Sequence, residues 1–523
     1  MRYSRQLLRL AALPVAISLL AGCSGGLFGE GDEAGPIVVG TTDSVTSLDP
    51  SAAYDAGSWA IISTLHQGLM TFEPSGSTPV PDAAKECSFT DDKTLKTFRC
   101  ELRDGLKFSN GDKLTAEDVK FSFERVRSYY EKNKQGGPWP VLGTLDTVEA
   151  EGDAVVVFHL ATPDATWPYK LASAAGVIVD KDAYPDGKAL EGDDVVGSGP
   201  YVLKSYDAGK SAVLERNANY KGAFEVQNDA VTIKYYESPD KLLAAWKDGG
   251  LDAVSRDLPA KAYRDIEDNP ESDVRVAALK GSSVRHMVFN VKDGSRVKSP
   301  AIRKAIAALV DRQAIARNVH FRTVDPLYSL IPAGVAGHTT AFYDRLPRTD
   351  PAEAQKILAE AGIATPVTFT LAYRKDAGFE EETKVLVKQL EQNDLFKVEL
   401  DPRGDDFFDM VNAGKTDAFT VGWLPDFPDP GTYVSPVVGK GNTFNNGYSS
   451  PKVNELIKRT EKVSARTRTL SDNTAIDDEV AKDLPLLPLY QSKDYTLTTD
   501  HILGGEKLLD STGAWRVWEL SRE

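Results

Sequence analysis

Hydrophobic positions along the chain recur at two periods, and the switches between them mark out its elements. Ile37-Val38-Val39-Gly40 is a short apolar run that predicts a buried strand. Ser58 to Leu69 has helical spacing, with Ile61, Ile62, Leu65 and Leu69 on one face. Phe98 to Phe108 alternates apolar with polar residues and ends in the turn signal Ser109-Asn110-Gly111-Asp112. Thr115 is placed to cap a helix whose buried stripe is Val119, Phe123, Val126 and Tyr130. Strands are predicted over Ala154–Leu160, Tyr201–Tyr206, Ala212–Arg216 and Val231–Tyr236, with Gly209 turning the second of these into the third. A helix is predicted over Asp240–Trp246.

Two alternating stretches, Val274–Leu279 and Val284–Phe289, flank Gly281, and a first crossing between domains is placed there. Ser299-Pro300 opens a helix with the stripe Ile302, Ile306, Leu309 and Val310. Asp350-Pro351-Ala352-Glu353 is a capping box that opens another, stopped by Gly362. Thr368–Tyr373 and Lys397–Leu400 are strands separated by a helix over Glu380–Gln392, an order that predicts parallel pairing. Leu484 to Tyr490 is the second expected crossing. Between them, the strand Asp417–Val421 runs into Gly422-Trp423-Leu424-Pro425-Asp426-Phe427-Pro428-Asp429-Pro430. Three prolines make this a stiff, extended loop with Asp426 between two of them. Such a loop suits an extended guest that is cationic at one end, such as a peptide with a free α-ammonium.

The chain has 523 residues, more than one core usually serves, so more than one domain is expected. A formal net charge of −16 leaves no basic stripe for phosphates and excludes a nucleic-acid partner. Arg2, Arg5 and Arg9 precede an apolar run, Leu7 to Leu20, that is short for a membrane span and has the layout of a secretory signal. Its ending, Leu20-Ala21-Gly22-Cys23, resembles the lipobox of bacterial lipoproteins, which implies cleavage after residue 22 and acylation of Cys23. Residues 23–36 then read as a lipidated cysteine on a flexible tether. Export to an oxidising compartment leaves Cys87 and Cys100 to form a disulfide. A hairpin turn at Asp92–Leu95 places these two directly opposite each other.

Signatures of catalysis do not emerge. The six histidines (His66, His159, His286, His320, His338 and His501) are scattered, none at metal-ligand spacing. Gly197-Ser198-Gly199 lacks the spacing of a nucleophile elbow, and no phosphate loop is present. No enzyme, cofactor or metal site is therefore expected.

Several segments together resemble the family-5 solute-binding proteins of bacterial ABC importers, the oligopeptide-, dipeptide- and nickel-binding group. They are Arg103 to Asp112 running into Leu114–Arg125; Gly197–Tyr201 with Leu214–Tyr220; Phe289-Asn290 with Ile302–Ile306 and Asp311-Arg312; Gly422-Trp423 with Asp426 and Asp429-Pro430; and Pro485–Tyr490. The resemblance implies an α/β, two-lobed periplasmic-binding-protein-like fold with two crossover strands and an extra inserted domain in the first lobe. The corresponding boundaries are 1–22 for the signal, 37–275 for lobe I with its insertion at about 51–195, 276–486 for lobe II and 487–523 for the return to lobe I.

By the same resemblance Asp426 would pair with a ligand α-ammonium, and the backbone of Gly422, Trp423 and Leu424 would pair with the ligand backbone. Arg374, beside Tyr373, resembles the arginine that dipeptide binders place on the ligand carboxylate. Trp139 and Trp59 fall in segments that line the cleft in relatives. Thr420 departs from the oligopeptide binders, which carry an arginine there. The implied function is a lipid-anchored, monomeric, extracytoplasmic receptor that passes peptides to a membrane permease and its ATPase. The alternatives are a non-peptide solute such as an oligosaccharide or metal chelate, or a peptide-signal receptor without transport. In a bacterial host, mass spectrometry should find lipid on Cys23 of the processed chain, and Cys23→Ser should leave the chain without it.

Overall fold

The computed structural model describes residues 35–523, apart from Ser75, Lys134, Gln135 and Asp257. The signal segment, Cys23 and the tether up to residue 34 lie outside the described residues. Two long strands, Val274–Phe289 and Leu486–Thr499, pair antiparallel through the middle of an eleven-stranded sheet. The strand Ala418–Trp423 adds to the free edge of Val284–Phe289. Beyond it lie Val367–Arg374 and Phe396–Arg403, parallel to each other and joined by the helix Glu380–Glu391, as that strand–helix–strand order predicts. On the other side, Ala253–Ser255 pairs with the second long strand, followed by Ile37–Thr41, Ala230–Tyr235, Ser211–Arg216 and Tyr201–Asp207.

The two ends of this sheet bury separate cores. Phe369, Leu371, Ile306 and Leu386 belong to one. Ile37, Val39, Ile233, Leu214 and Trp515 belong to the other. The long strands carry the chain between them, so the architecture is two α/β lobes with two crossover strands. We call the lobe that holds Ile37–Thr41 lobe I and the lobe that holds Ala418–Trp423 lobe II.

Gly281 does not separate two strands, as the alternation predicts; it lies inside one. Between Lys280 and Val284 the pairing slips, and a Cβ on Gly281 would fall 2.3 Å from Ser492 Oγ and 2.7 Å from the Ser492 carbonyl oxygen. Glycine here permits a close approach of the crossing strands and a bulge, not a turn. Pro488, which has no N–H for the ladder, sits at the second slip, opposite His286.

A four-stranded antiparallel sheet, in the order Ala84–Phe89, Thr97–Leu102, Val155–Leu160 and Leu145–Glu151, forms the inserted layer. The helix Ala116–Asn133 covers it with Val119, Phe123 and Val126, all buried. Phe123 meets Phe158 edge-on at 4.9 Å between centroids, and Trp167 closes the triad at 5.4 Å from Phe158. Thr115 stands at the N-cap position, but its side chain does not accept from the helix: the Asp118 carboxylate, inside the first turn, accepts from both the N–H and the hydroxyl of Thr115 at 2.8 Å. Likewise Ser299 makes no side-chain cap, so Pro300 at the first helical position starts the helix Pro300–Leu309. Asp350 does cap Pro351–Glu360, accepting from the Glu353 N–H at 3.1 Å.

The helix Ala116–Asn133 also carries Arg125, whose side chain and that of Asp49 are fully buried. Arg125 donates through Nη1 to Asp49 Oδ1 at 2.8 Å, through Nη2 to Asp49 Oδ2, and to the carbonyls of Pro185 and Lys188 at 2.7 Å each. A bidentate pair with every donor used avoids the penalty of an unmatched buried ion. It fastens the inserted helix to the segment that follows Ile37–Thr41.

Cys87 and Cys100 occupy opposed positions of the first hairpin and form a disulfide. Replacing both with serine should lower unfolding stability by up to about 3 kcal/mol on the loop-entropy model. Urea unfolding of the two forms checks this; equal midpoints would show that the closed loop contributes nothing.

Candidate functional site

The loop after Trp423 leaves lobe II and reaches lobe I. Its shape is set locally. The Trp423 indole Nε1 donates to the Thr432 carbonyl at 2.8 Å, and the Thr432 hydroxyl accepts from the Asp426 N–H at 3.3 Å. Asp429 accepts from the Gly431 N–H at 2.8 Å and is held bidentately by Arg466 at 2.7 and 2.8 Å. Fixed at both ends, the loop projects Phe427 into the core of the inserted layer, 6.2 Å from the Tyr169 ring. Nearby the Ala165 N–H donates to the Glu461 carbonyl at 2.9 Å, a hydrogen bond between the lobes.

Asp426 lies half-buried at this junction. The hydroxyl of Tyr54, from lobe I, donates to its Oδ1 at 3.0 Å. Burial pushes its carboxyl up to about 6, against the opposing pull of the Tyr54 hydrogen bond and the Lys170 charge. Burial, the Asp426 charge and their hydrogen bond together push the Tyr54 hydroxyl up. Lys170 itself is paired with Asp164 at 2.7 Å.

Asp426 faces two cavities. One, of about 360 Å³, is lined from lobe I by Tyr54, Val141 and Lys170 and from lobe II by Trp423, Thr432 and Arg466. The other, of about 70 Å³, is lined by Trp59, Asp82, Tyr220 and Trp518 on the lobe I side. Asp82 is a second buried acid here, pushed up to about 6 by burial although it accepts from the Ala223 N–H at 2.8 Å.

Of the residues singled out in the sequence, Asp426 and Trp423 share the larger cavity, and Asp426 and Trp59 share the smaller. Trp139 stands beside the cavity-lining Pro140 and Val141, with the Arg127 guanidinium 4.7 Å from its ring centroid. Leu424 is exposed. Gly422 and Trp423 pair on one side with Arg285 and Val284. On the other side the parallel neighbour is paired only at Leu371–Ala418 and Ala372–Phe419, so the last residues of the strand have no ladder partner there. Tyr373 and Arg374 line neither cavity. Tyr373 is buried and Arg374 is in register with Arg403.

Thr420 is buried and accepts from Arg285 Nη2 at 2.9 Å. The crossing strand therefore brings a buried guanidinium up against Thr420. Arg285 is committed to Glu382 at 3.0 Å. Burial would raise Glu382, but Arg285 with the hydrogen bonds of His320 and Tyr490 holds it down at about 2. Tyr54, Lys170, Asp82 and Arg466 were not singled out in the sequence. Each stands in a segment with no local pattern that sets it apart, and only the packing of segments distant in the chain gives it a role. Among the described residues no group of three or more His, Cys, Asp or Glu is placed to hold a metal ion.

Two lobes on a pair of crossing strands, with an acid-bearing cavity between them, define a hinged, bilobal solute-binding protein. The model of the bacterial extracellular solute-binding proteins of family 5 matches residues 78–445, and the chain belongs to that family. It is 26% identical over 487 residues to the probable D,D-dipeptide-binding periplasmic protein of Escherichia coli K12, covering 90% of each chain. It is 23% identical over 488 residues to the oligopeptide-binding protein of Bacillus subtilis 168, covering 88% of each. The periplasmic binding protein DppA of Helicobacter pylori, solved in complex with the peptide STSA, superposes with a TM-score of 0.80 at 18% identity, covering 94% of this chain and 98% of its own.

Removing the Tyr54 hydroxyl takes away a bond that lowers the Asp426 pKa. Tyr54→Phe should therefore move the Asp426 carboxyl above about 6. Carboxyl-carbon NMR across a pH series reads this directly, and an unmoved titration would mean the two groups do not interact.

Proposed function

We propose that the protein captures peptides between its lobes and delivers them to an ABC importer, held outside the cytoplasmic membrane by lipid on Cys23. It does no covalent chemistry in this role and works as a monomer with a permease and an ATPase. The observation that carries the reading is Asp426: a half-buried carboxylate facing the inter-lobe cavities whose hydrogen-bonding partner across the gap is a neutral tyrosine. An α-ammonium is the group that such an acid lacks, and exclusion of water on closure strengthens the pair. The strand end at Gly422-Trp423, with one side free of ladder bonds, offers backbone groups to an extended guest. That mode reads backbone rather than side chains and suits a receptor for varied sequences. The names of the relatives, binders of dipeptides and oligopeptides, support the same class of cargo.

Asp426→Ala should weaken binding of a peptide with a free amino terminus by roughly 2–5 kcal/mol, as removal of one buried charge partner does. Calorimetry with free and N-acetylated forms of one peptide checks it. Undiminished binding by the variant would remove Asp426 as the anchor.

Acidity provides a second check. The free protein holds a proton on Asp426 up to about pH 6, whereas an ammonium guest requires the ionised form. Affinity should therefore fall as pH drops below about 6, by up to about tenfold per unit, and level off above it. A pH-independent affinity between 4 and 7 would contradict the pairing.

A further inference from the structure

Lobe II holds a cavity of about 520 Å³ that shares no lining residue with the two at Asp426. Phe342, Leu484 and Leu487 form its buried apolar wall, and Arg312 is set among them with only 4% of its surface exposed. Lys304, Arg345 and Lys482 line it as exposed side chains. Against these four cations stand two acids, Asp344 and Glu353.

Arg312 is the unusual member. Its Nε donates to the Pro488 carbonyl at 2.6 Å, and its guanidinium lies 4.5 Å from the Tyr328 ring centroid. Among the described residues it forms no ion pair with a carboxylate. Burial pulls it down to about 10, and only Tyr328, by its charge and a side-chain hydrogen bond, works against that. The contrast with Arg303 is instructive. Burial pulls that arginine down equally, but its donors are taken up by the carbonyls of Leu484, Asp483, Val297 and Lys298. A buried cation with neither a counter-ion nor a full set of acceptors is costly, and a chain retains it at low cost only if something anionic completes it. Guanidinium geometry matches a planar carboxylate with two parallel hydrogen bonds. The apolar wall beside it favours a ligand that also carries a hydrocarbon segment.

We propose that this cavity binds a small organic carboxylate with a short apolar chain, the carboxylate on Arg312 and the chain against Phe342, Leu484 and Leu487. The exposed lysines and Arg345 draw the anion in and stay near the surface. The site is separate from peptide capture and does not depend on that reading.

Calorimetry on the full chain with hexanoate, hexylammonium and inorganic phosphate tests it, in the wild type and in Arg312→Met and Lys304→Glu. Hexanoate should bind, hexylammonium should not, and phosphate should bind more weakly because it leaves the apolar wall wet. Both substitutions should weaken hexanoate by roughly tenfold or more. Lys304 is exposed, so Lys304→Glu decides the matter even if Arg312→Met fails to fold. Hexanoate binding left unchanged by Lys304→Glu, absent from the wild type, or no tighter than that of phosphate would overturn the proposal.

Discussion

The ladder between the two crossing strands is the constraint on which the remainder rests. Two cores that bury their own apolar faces have no need of each other, and only Val274–Phe289 and Leu486–Thr499 join them within one continuous sheet. Hydrogen bonds fix the register along most of that ladder, which makes each half rigid. The register slips at two places, between Lys280 and Val284 and between Arg285 and His286. These are the points at which the ladder is interrupted and strands bend most easily. Hinged closure of one lobe on the other is the motion this arrangement permits.

Closure determines the electrostatics of the gap. Asp426 on lobe II meets Tyr54 on lobe I, and Phe427 buries itself in the inserted layer next to Tyr169. The apolar contact holds the lobes together, while the acid beside it is drawn out of water. The loop tolerates this because its backbone is restrained elsewhere: Trp423 and Thr432 tie its start, Asp429 and Arg466 its end. A stiff loop can carry a poorly solvated carboxylate into a cavity without collapsing around it. The buried Arg285–Glu382 pair solves a comparable problem differently, since there His320 and Tyr490 supply further hydrogen bonds to the acid.

Much of this was legible in the pattern of residues, for a physical reason that differs from element to element. The parallel pair Val367–Arg374 and Phe396–Arg403 follows from a strand–helix–strand order, which has few solutions. The Cys87–Cys100 pairing follows from hairpin register, because opposed positions are set by the turn between them. Errors arose where a local signal had two structural meanings. Gly281 reads as a breaker but serves a close approach of backbones, and the difference lies in Ser492, more than two hundred residues away. Thr115 reads as a cap and stands at the N-cap position, yet its hydroxyl donates to Asp118 where a capping side chain would accept.

Amino-acid order alone established the α/β class, the two crossings and the loop that bears Asp426, because periodicity, proline stiffness and turn chemistry act over a few residues, and its motif segments carried the family likeness. Tertiary structure alone decided what surrounds that loop. Tyr54 and Asp426 are 372 positions apart, and Arg125 reaches Asp49 across 76. Such contacts depend on how distant segments pack, across the lobes for Tyr54 and within lobe I for Arg125, and the burial that shifts the Asp426 carboxyl exists only once they have.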